Sequence, residues 1–588
     1  MMNIAQKMFY INRYICGYMN SYVRWGALAV FLFAILVASS VITTQVFSIQ
    51  PSPGRNWEKA AFDDENSGFN PQMQINKGDV NGLEVKWIYQ IPQNPFTGSL
   101  SSVSGIKTRP LIIDGTVYIA TAYNRVIALN ANTGDEVWSF QVNLTKAVSK
   151  PWVSPIVDLH HITSYKGVIY IQAADCAIYG LDAKDGSVKF TIPDPCKDIP
   201  GGSYRYVGRS APVIYEKHGV LILGSGGQST GRGFIASYNL TNSQLLWRWF
   251  INPPWGGDPN WDTKYTVQKG DGSYVSGPSK GNITPYPGDW GSTNRIVGDT
   301  SWDLNLVDQE SGIVYIATSV PEGPDSKLFP GPNLYGSSMV ALNATTGEML
   351  WYYQMTPHDI YWHGVPFQTG ILAKIRIENK VVKAVLTGSK SGYVYAFNAE
   401  NGALLWNPVK LGIHLNTEND NAGNQANMTM SQKDLVGKTV CPLNGVFAPP
   451  ALAYNTLYVT DQNNCGTPTS TGVDTWRYSP IGTVNSTLYS IDASTGQIKW
   501  TFFMKNPYQG AAVAVSGRVV YAVDRTGILY ALDADTGRLI RTLNLGGVGA
   551  AGVSIGADDE GNMMIFIASG GAGSSKTTPG IVVALGKN

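Results

Sequence analysis

Charge is what this sequence has least of. Only 14% of its 588 residues are Asp, Glu, Lys or Arg, and the net charge of +1 is spread along the chain. No basic stripe could neutralise a run of phosphates, which excludes nucleic acid as a partner. The six histidines and five cysteines include no CxxC spacing for zinc and no CxxCH for covalent haem. No Pro/Ser-rich or charged linker divides a chain several times longer than the about 150 residues common for one domain. One closed repeat architecture fits this better than a string of small domains. What abounds is turn-forming and aromatic: 64 glycines, 32 prolines and 11% aromatics, the profile of many short strands joined by tight turns.

Residues 25–47 (WGALAVFLFAILVASSVITTQVF) carry no charge and are just long enough to cross ~30 Å of hydrocarbon. Lys7, Arg13 and Arg24 precede them and no basic residue follows until Arg55, so the positive-inside bias makes residues 1–24 a cytoplasmic leader and exports residues 48–588. Two readings stay open: a retained single-pass anchor in the cell membrane, or a signal peptide cleaved near Ala38, Ser39 or Ser40. Both place the bulk of the chain in an extracellular or periplasm-like space. Cys16 stays with the leader, which leaves four exported cysteines, an even number suited to an oxidising compartment. Of three connectivities, proximity in sequence favours Cys176 with Cys196 and Cys441 with Cys465. Six N-x-S/T sequons, at Asn143, Asn239, Asn282, Asn343, Asn427 and Asn485, suit a glycosylated surface.

One phrase recurs seven times, as in VIALNANTGDEVWSF (126–140), MVALNATTGEMLWYY (339–353) and LYSIDASTGQIKWTF (488–502), with weaker copies at 178–190, 235–249, 394–406 and 529–542. Each is an alternating strand, an Asx-x-x-Thr-Gly type turn, and a second strand carrying a large residue, usually Trp. A further strand precedes each hairpin, which gives the four-stranded unit of a propeller blade. GLEVKWIYQ (82–90) and IVVALG (581–586) supply the halves of an eighth, so their pairing would close the ring. The expected fold is an all-β, eight-bladed propeller behind one N-terminal transmembrane helix, with Trp87, Trp138, Trp247, Trp351, Trp406 and Trp500 packed between blades. The long insertion at 250–300 reads as a lid or binding rim.

Over about residues 56–588 the chain resembles the quinoprotein alcohol dehydrogenases, eight-bladed propellers that hold pyrroloquinoline quinone (PQQ) and calcium. The resemblance is carried by NWEKAAFDDENSGFNPQMQINKGDVNGLEVKW, TRPLIIDGTVYIATAYNRVIALNANTGDEVW, WYYQMTPHDIYWHGV, AVAVSGRVVYAVDRTGILYALDADTG and GAAGVSIGADDEGNMMIFIASGG. It implies Trp302 of SWD as the flat floor under the quinone and Lys390 of GSKSG as the cation at its oxygens. It also implies losses. Gln228 or Ser229 stands where the family has a calcium-binding Glu, and Val320 where it has Asn, so no metal is expected at the family calcium site. Trp362 stands in the place of the general base, which leaves Asp359 as the catalytic candidate. Ser154 and Pro155 replace an adjacent cysteine pair, and Lys107 replaces a Glu.

His160 and His161 align with the family's cofactor-side loop, and His358 and His363 flank the lost base. They read either as hydrogen-bonding loop residues or as a transition-metal site such as copper. Two functions follow. One is an oxidoreductase of alcohols or aldehydes with a divergent PQQ site, passing electrons to a separate redox acceptor. The other is a non-catalytic propeller that binds a surface protein or glycan.

Overall fold

The structure, a computed structural model, describes residues 54–588 apart from 97–104, 107, 145–161, 174, 198, 200–209, 226–231, 255–260, 262–263, 285, 287, 292–300, 302–304, 320–328, 362–369, 472–475, 480–482, 509–510, 547–550 and 571–579. The leader and the apolar run 25–47 lie outside the described residues. Among those described, no helix is long and apolar enough to cross a membrane.

Each repeat phrase forms the third and fourth strands of a four-stranded antiparallel sheet, and eight such sheets follow one another. Blade 1 runs from Leu111–Ile113 to Glu136–Gln141, blade 2 from Thr163–Tyr165 to Val188–Ile192, and blade 3 from Val213–Tyr215 to Leu245–Phe250. Blade 4 runs from Leu306–Asp308 to Met349–Gln354, blade 5 from Ile371–Ile377 to Val409–Lys410, blade 6 from Ala451–Ala453 to Ile498–Met504, and blade 7 from Ala514–Ser516 to Leu539–Asn544. Blade 8 holds Val553–Ala557, Met563–Ser569 and Ile581–Gly586, and its fourth strand is Glu84–Gln90 from the other end of the chain. These last two pair antiparallel from Glu84 with Gly586 to Gln90 with Ile581. The protein is an all-β, eight-bladed propeller.

The turns hold because one Asx side chain replaces missing backbone partners. Asn130 Oδ1 accepts the N–H groups of Asn132 and Thr133, both at 2.9 Å, and Asp533 and Asp492 do the same in their blades. The glycine that follows makes room for the neighbouring blade. At Gly402 (φ +73) an added Cβ would lie 2.5 Å from the Trp351 ring, and Gly134, Gly186, Gly347, Gly496 and Gly537 receive Trp87, Trp138, Trp247, Trp406 and Trp500 likewise. Each indole N–H then donates to the alanine carbonyl three residues before that glycine, as Trp351 does to Ala399 (3.1 Å) and Trp138 to Ala183 (2.9 Å). Six of eight seams share this contact.

The two exceptions explain themselves. On blade 2 Phe190 takes the tryptophan position, and it packs in the same cluster as Leu240 of blade 3, whose turn has Ser243 in place of glycine. On blade 7 the position is Arg541, because blade 8 is split between the chain ends and offers no turn. Arg541 instead donates to the carbonyls of Val80 (2.9 Å) and Leu83 (2.7 Å), just ahead of the closing strand.

A strap from Arg55 to Asn70 fills the inner edge of the ring. It bonds blade 8 through Arg55 O, blade 1 through Trp57, blade 2 through Glu58 O, blade 5 through Glu65 O, blade 6 through Ser67 O and blade 7 through Gly68 O. Arg109 braces it from within: its guanidinium donates to the carbonyls of Val553, Ala60 and Val513 and lies 4.4 Å from the Trp57 ring centroid. Burial pushes this arginine down to about 9, and the nearby Tyr508 phenol opposes the shift.

The described part of the insertion after blade 3 adds to that blade. Lys264–Lys269 and Tyr274–Pro278 extend that blade outward to six strands. Trp261 and Trp290 are buried and both donate to Leu334 O at 2.7 Å, so the described part of the insertion clamps blade 4. Trp261 and Trp290 thus serve packing, whereas Tyr274 and Tyr286 are exposed and Trp255 lies outside the described residues.

Trp351→Ala should lower stability by about 3–5 kcal/mol, read from the urea midpoint. Trp351→Phe, which keeps a ring against Gly402 but loses the bond to Ala399 and part of the buried ring area, should cost less, about 1–3 kcal/mol.

Candidate functional site

Because strands run alternately up and down, every second-to-third turn and every crossing to the next blade opens on one face of the ring. Both disulfides staple that face. Cys176, in the turn of blade 2, bonds Cys196 in the crossing to blade 3, and Cys441, in the crossing to blade 6, bonds Cys465 just past that blade's second strand. Both pairs match the expected connectivity. Each closes a short loop, which narrows the unfolded ensemble.

On the same face, the turn between Lys380–Gly388 and Tyr393–Asn398 of blade 5 carries Lys390. Its main chain is tied to the next crossing: Gly445 N donates to Lys390 O (2.8 Å) and Val446 N to Ser389 O (3.1 Å). The side chain is half-buried, with Nζ 4.7 Å from the Phe447 ring centroid. Burial pushes this ammonium down to about 8, and the nearby Asp359 carboxylate opposes the shift. A cation held so near its switching point, against an aromatic face, suits a planar anion.

Asp359 comes from the crossing out of blade 4 and is almost fully buried. Its Oδ2 accepts from Ser337 Oγ and its Oδ1 from Tyr361 N, each at 3.1 Å. Both oxygens are thus engaged before any substrate arrives. His358, also buried, has Nδ1 2.8 Å from Gly331 O and Nε2 2.9 Å from Met430 O, so its ring faces two main-chain carbonyls. Thr356 of the same phrase donates to Asp420 Oδ1 (3.1 Å). The TPHD phrase therefore ties the crossing out of blade 4 to residues 331–337 and 419–430.

The structure brings Lys390 and Asp359 into electrostatic contact. Trp302, Trp362, Val320, Gln228, Ser229, Lys107, Ser154, Pro155, His160, His161 and His363 lie outside the described residues. Among those described, no three His, Cys, Asp or Glu side chains gather into a group that could hold a metal. Phe447 was not singled out from sequence. It belongs to a crossing without repeat character, and its place under Lys390 follows only from the folded path of that crossing.

Comparison with known proteins agrees with this architecture. A family model described as "Glucose/ethanol/alcohol dehydrogenase, beta-propeller domain" matches residues 57–413, and "Outer membrane protein assembly factor BamB" matches 484–553. Quinohemoprotein alcohol dehydrogenase of Comamonas testosteroni is 25% identical over 514 residues, covering 82% of this chain and 68% of that protein. Quinoprotein alcohol dehydrogenase PedH of Pseudomonas putida is 26% identical over 540 residues, covering 86% and 84%. Of two further Pseudomonas putida quinohemoprotein dehydrogenases the matched regions span only 45% and 47%. The crystal structure of the Comamonas testosteroni enzyme superposes with a TM-score of 0.72 at 21% identity, over 91% of this chain and 81% of that one. A europium-containing methanol dehydrogenase gives 0.69 at 18%, over 91% and 98%. At such identities the superpositions speak for the fold alone. The family match spans most of the chain, and by it this protein belongs to the PQQ-type quinoprotein alcohol dehydrogenase propellers.

Proposed function

We propose that this protein is an exported, membrane-anchored oxidoreductase of alcohols or aldehydes that holds PQQ at the face bearing Lys390. The observation that carries the reading is Lys390 itself: an ammonium set in the channel wall over Phe447, with Asp359 keeping it charged. PQQ, when bound, would supply an electrophilic quinone carbonyl able to take up the two electrons of the substrate. Lys390 would hold the anionic ring by charge and hydrogen bonding, and by the family resemblance Trp302 would form its floor. Asp359, with both oxygens already accepting hydrogen bonds, serves to position Lys390. No metal step is assigned, since Val320 cannot coordinate a cation where the family has Asn.

Trp362 in the place of the family base favours a second reading, a propeller that binds a surface protein or glycan without turnover. Full-length protein in detergent, loaded with PQQ with and without Ca²⁺, separates the two by retained absorbance and dye-linked oxidation of short alcohols. Retention with turnover, both lost in Lys390→Met, is expected. No retention under any condition would leave the binding propeller.

The charge on Lys390 gives that retention a pH signature. The ammonium is depressed from 10.5 to about 8, so the proton that attracts an anion is lost as pH rises through about 8. Above that, affinity for PQQ should fall by up to about tenfold per pH unit, and Lys390→Arg should hold it to higher pH. A flat profile from pH 7 to about 10 would mean that Lys390 does not bind the quinone.

Residues 25–47 as a retained anchor, with the N-terminus inside, would keep the protein in membranes after alkaline carbonate. Cleavage near Ala38 would release it. Asn143 and Asn427 are the exposed sequons, whereas Asn282 has both polar atoms bonded to the Gln354 main chain. In a glycosylating host, glycosidase should shorten the wild type, and Asn143→Gln with Asn427→Gln should remove most of that shift.

A further inference from the structure

Four successive residues at the end of one strand of blade 6 carry oxygens that meet no donor. Thr456–Asn463 finishes in Asp461, Gln462 and Asn463, and Asn464 follows. Both carboxylate oxygens of Asp461, Oε1 of Gln462 and Oδ1 of Asn463 and of Asn464 are buried without a hydrogen-bond partner. Asp461 itself has no exposed surface. Each buried, unanswered acceptor costs on the order of 1–3 kcal/mol, so a run of them implies a counter-group. Burial alone raises the Asp461 carboxyl to about 7, with no positive charge contributing.

Strand alternation divides the four, sending Asp461 and Asn463 to the same side. On that side lies Gly412, just past the last strand of blade 5, in the left-handed region at φ +64. The point where its Cβ would stand is 2.3 Å from Asp461 Oδ2 and 2.9 Å from Asn463 Oδ1, so the two oxygens converge where only a glycine leaves room. Asn463 is fixed in this sense, because its Nδ2 donates to Asn485 Oδ1 (2.7 Å). The Tyr489 hydroxyl adds a third oxygen: it accepts from Gly412 N (3.3 Å), and its phenol is raised first by burial and then by the charge of Asp461 within electrostatic reach.

We propose that Asp461, Asn463 and Tyr489 form a site for a hard, oxygen-seeking cation of the calcium class at the seam of blades 5 and 6. The ligand set is all oxygen, with a carboxylate, an amide carbonyl and a hydroxyl, and no imidazole or thiolate to favour a softer metal. A proton on Asp461 would create one donor and answer one oxygen, whereas a divalent ion would answer the Asp461 carboxylate and Asn463 Oδ1 together, the three unanswered oxygens on this side of the strand. With a single carboxylate the site belongs to the weak class, roughly 10⁻⁴–10⁻³ M, water completing the shell. The site is separate from the quinone proposal but mechanically joined to Lys390. Gln462 N donates to Gly445 O (2.8 Å) and Gly445 N to Lys390 O (2.8 Å), so a cation beside Asp461 would stiffen the wall carrying that ammonium.

The test uses the full-length protein in detergent, stripped with EDTA and free of quinone, with Ca²⁺ as the probe. Equilibrium dialysis should find bound calcium that Asp461→Asn lacks, and millimolar Ca²⁺ should raise the thermal midpoint of the wild type but not of that variant. Asn463→Asp adds a second carboxylate and should bind about tenfold tighter, which keeps the test decisive if Asp461→Asn fails to fold. Equal calcium binding by wild type and Asp461→Asn, including none by either, overturns the proposal. So does an Asp461→Asn protein as stable as the wild type with no response of either to Ca²⁺, which would mean that Asp461 is held protonated.

Discussion

Everything in this molecule rests on one contact repeated around a circle: a tryptophan ring laid on a glycine of the next blade, its N–H fixed to the alanine carbonyl three residues earlier. The contact joins two scales. Within a blade the glycine is needed for a turn at positive φ, and between blades the same missing Cβ is the socket for the ring. Apolar burial provides the adhesion, and the indole hydrogen bond sets the angle and register of neighbouring sheets. A site built from the crossings of two blades, as Lys390, Asp359 and Phe447 are, keeps its geometry only because that register is fixed.

The same logic made the fold legible in the sequence. A turn with Asx at its start and Gly at its end, followed by Trp at constant spacing, states both the hairpin and its neighbour contact. Seven copies and two half-copies therefore state the number of blades. The disulfides were readable as well, since each joins cysteines close in sequence. Where the phrase degenerates, at Phe190 or Arg541, the structure shows a changed partner and an intact seam, so the irregular copies were still countable.

The site was less legible, for a physical reason. Crossings between blades obey no period, and their side chains meet only after the ring has closed. Lys390 could be placed because a short phrase resembles a family, but Phe447 beneath it and Gly445 behind it could not. The 250–300 insertion shows the same limit: aromatic residues in a long loop suggested a rim, and of them Trp261 and Trp290 turn inward to the Leu334 carbonyl. Asp461 was invisible for a third reason. An aspartate in a strand ordinarily faces water, and only the approach of Gly412 shows that this one cannot.

The split of blade 8 between the chain ends governs how the molecule must be made. Glu84–Gln90 leaves the ribosome first among the blade strands, and Ile581–Gly586, its partner, leaves last. At roughly 5–20 residues per second the early strand waits on the order of a minute with an unpaired edge. Val85 and Ile88 stay outward even in the finished ring, and the charged Glu84 and Lys86 flank Val85, which discourages wrong pairing in the interval. The seven blades between can form in sequence, each docking on its predecessor. Only Ile581–Gly586 converts an open, growing arc into a ring, so damage to that strand would be felt as a failure of assembly rather than as a local fault.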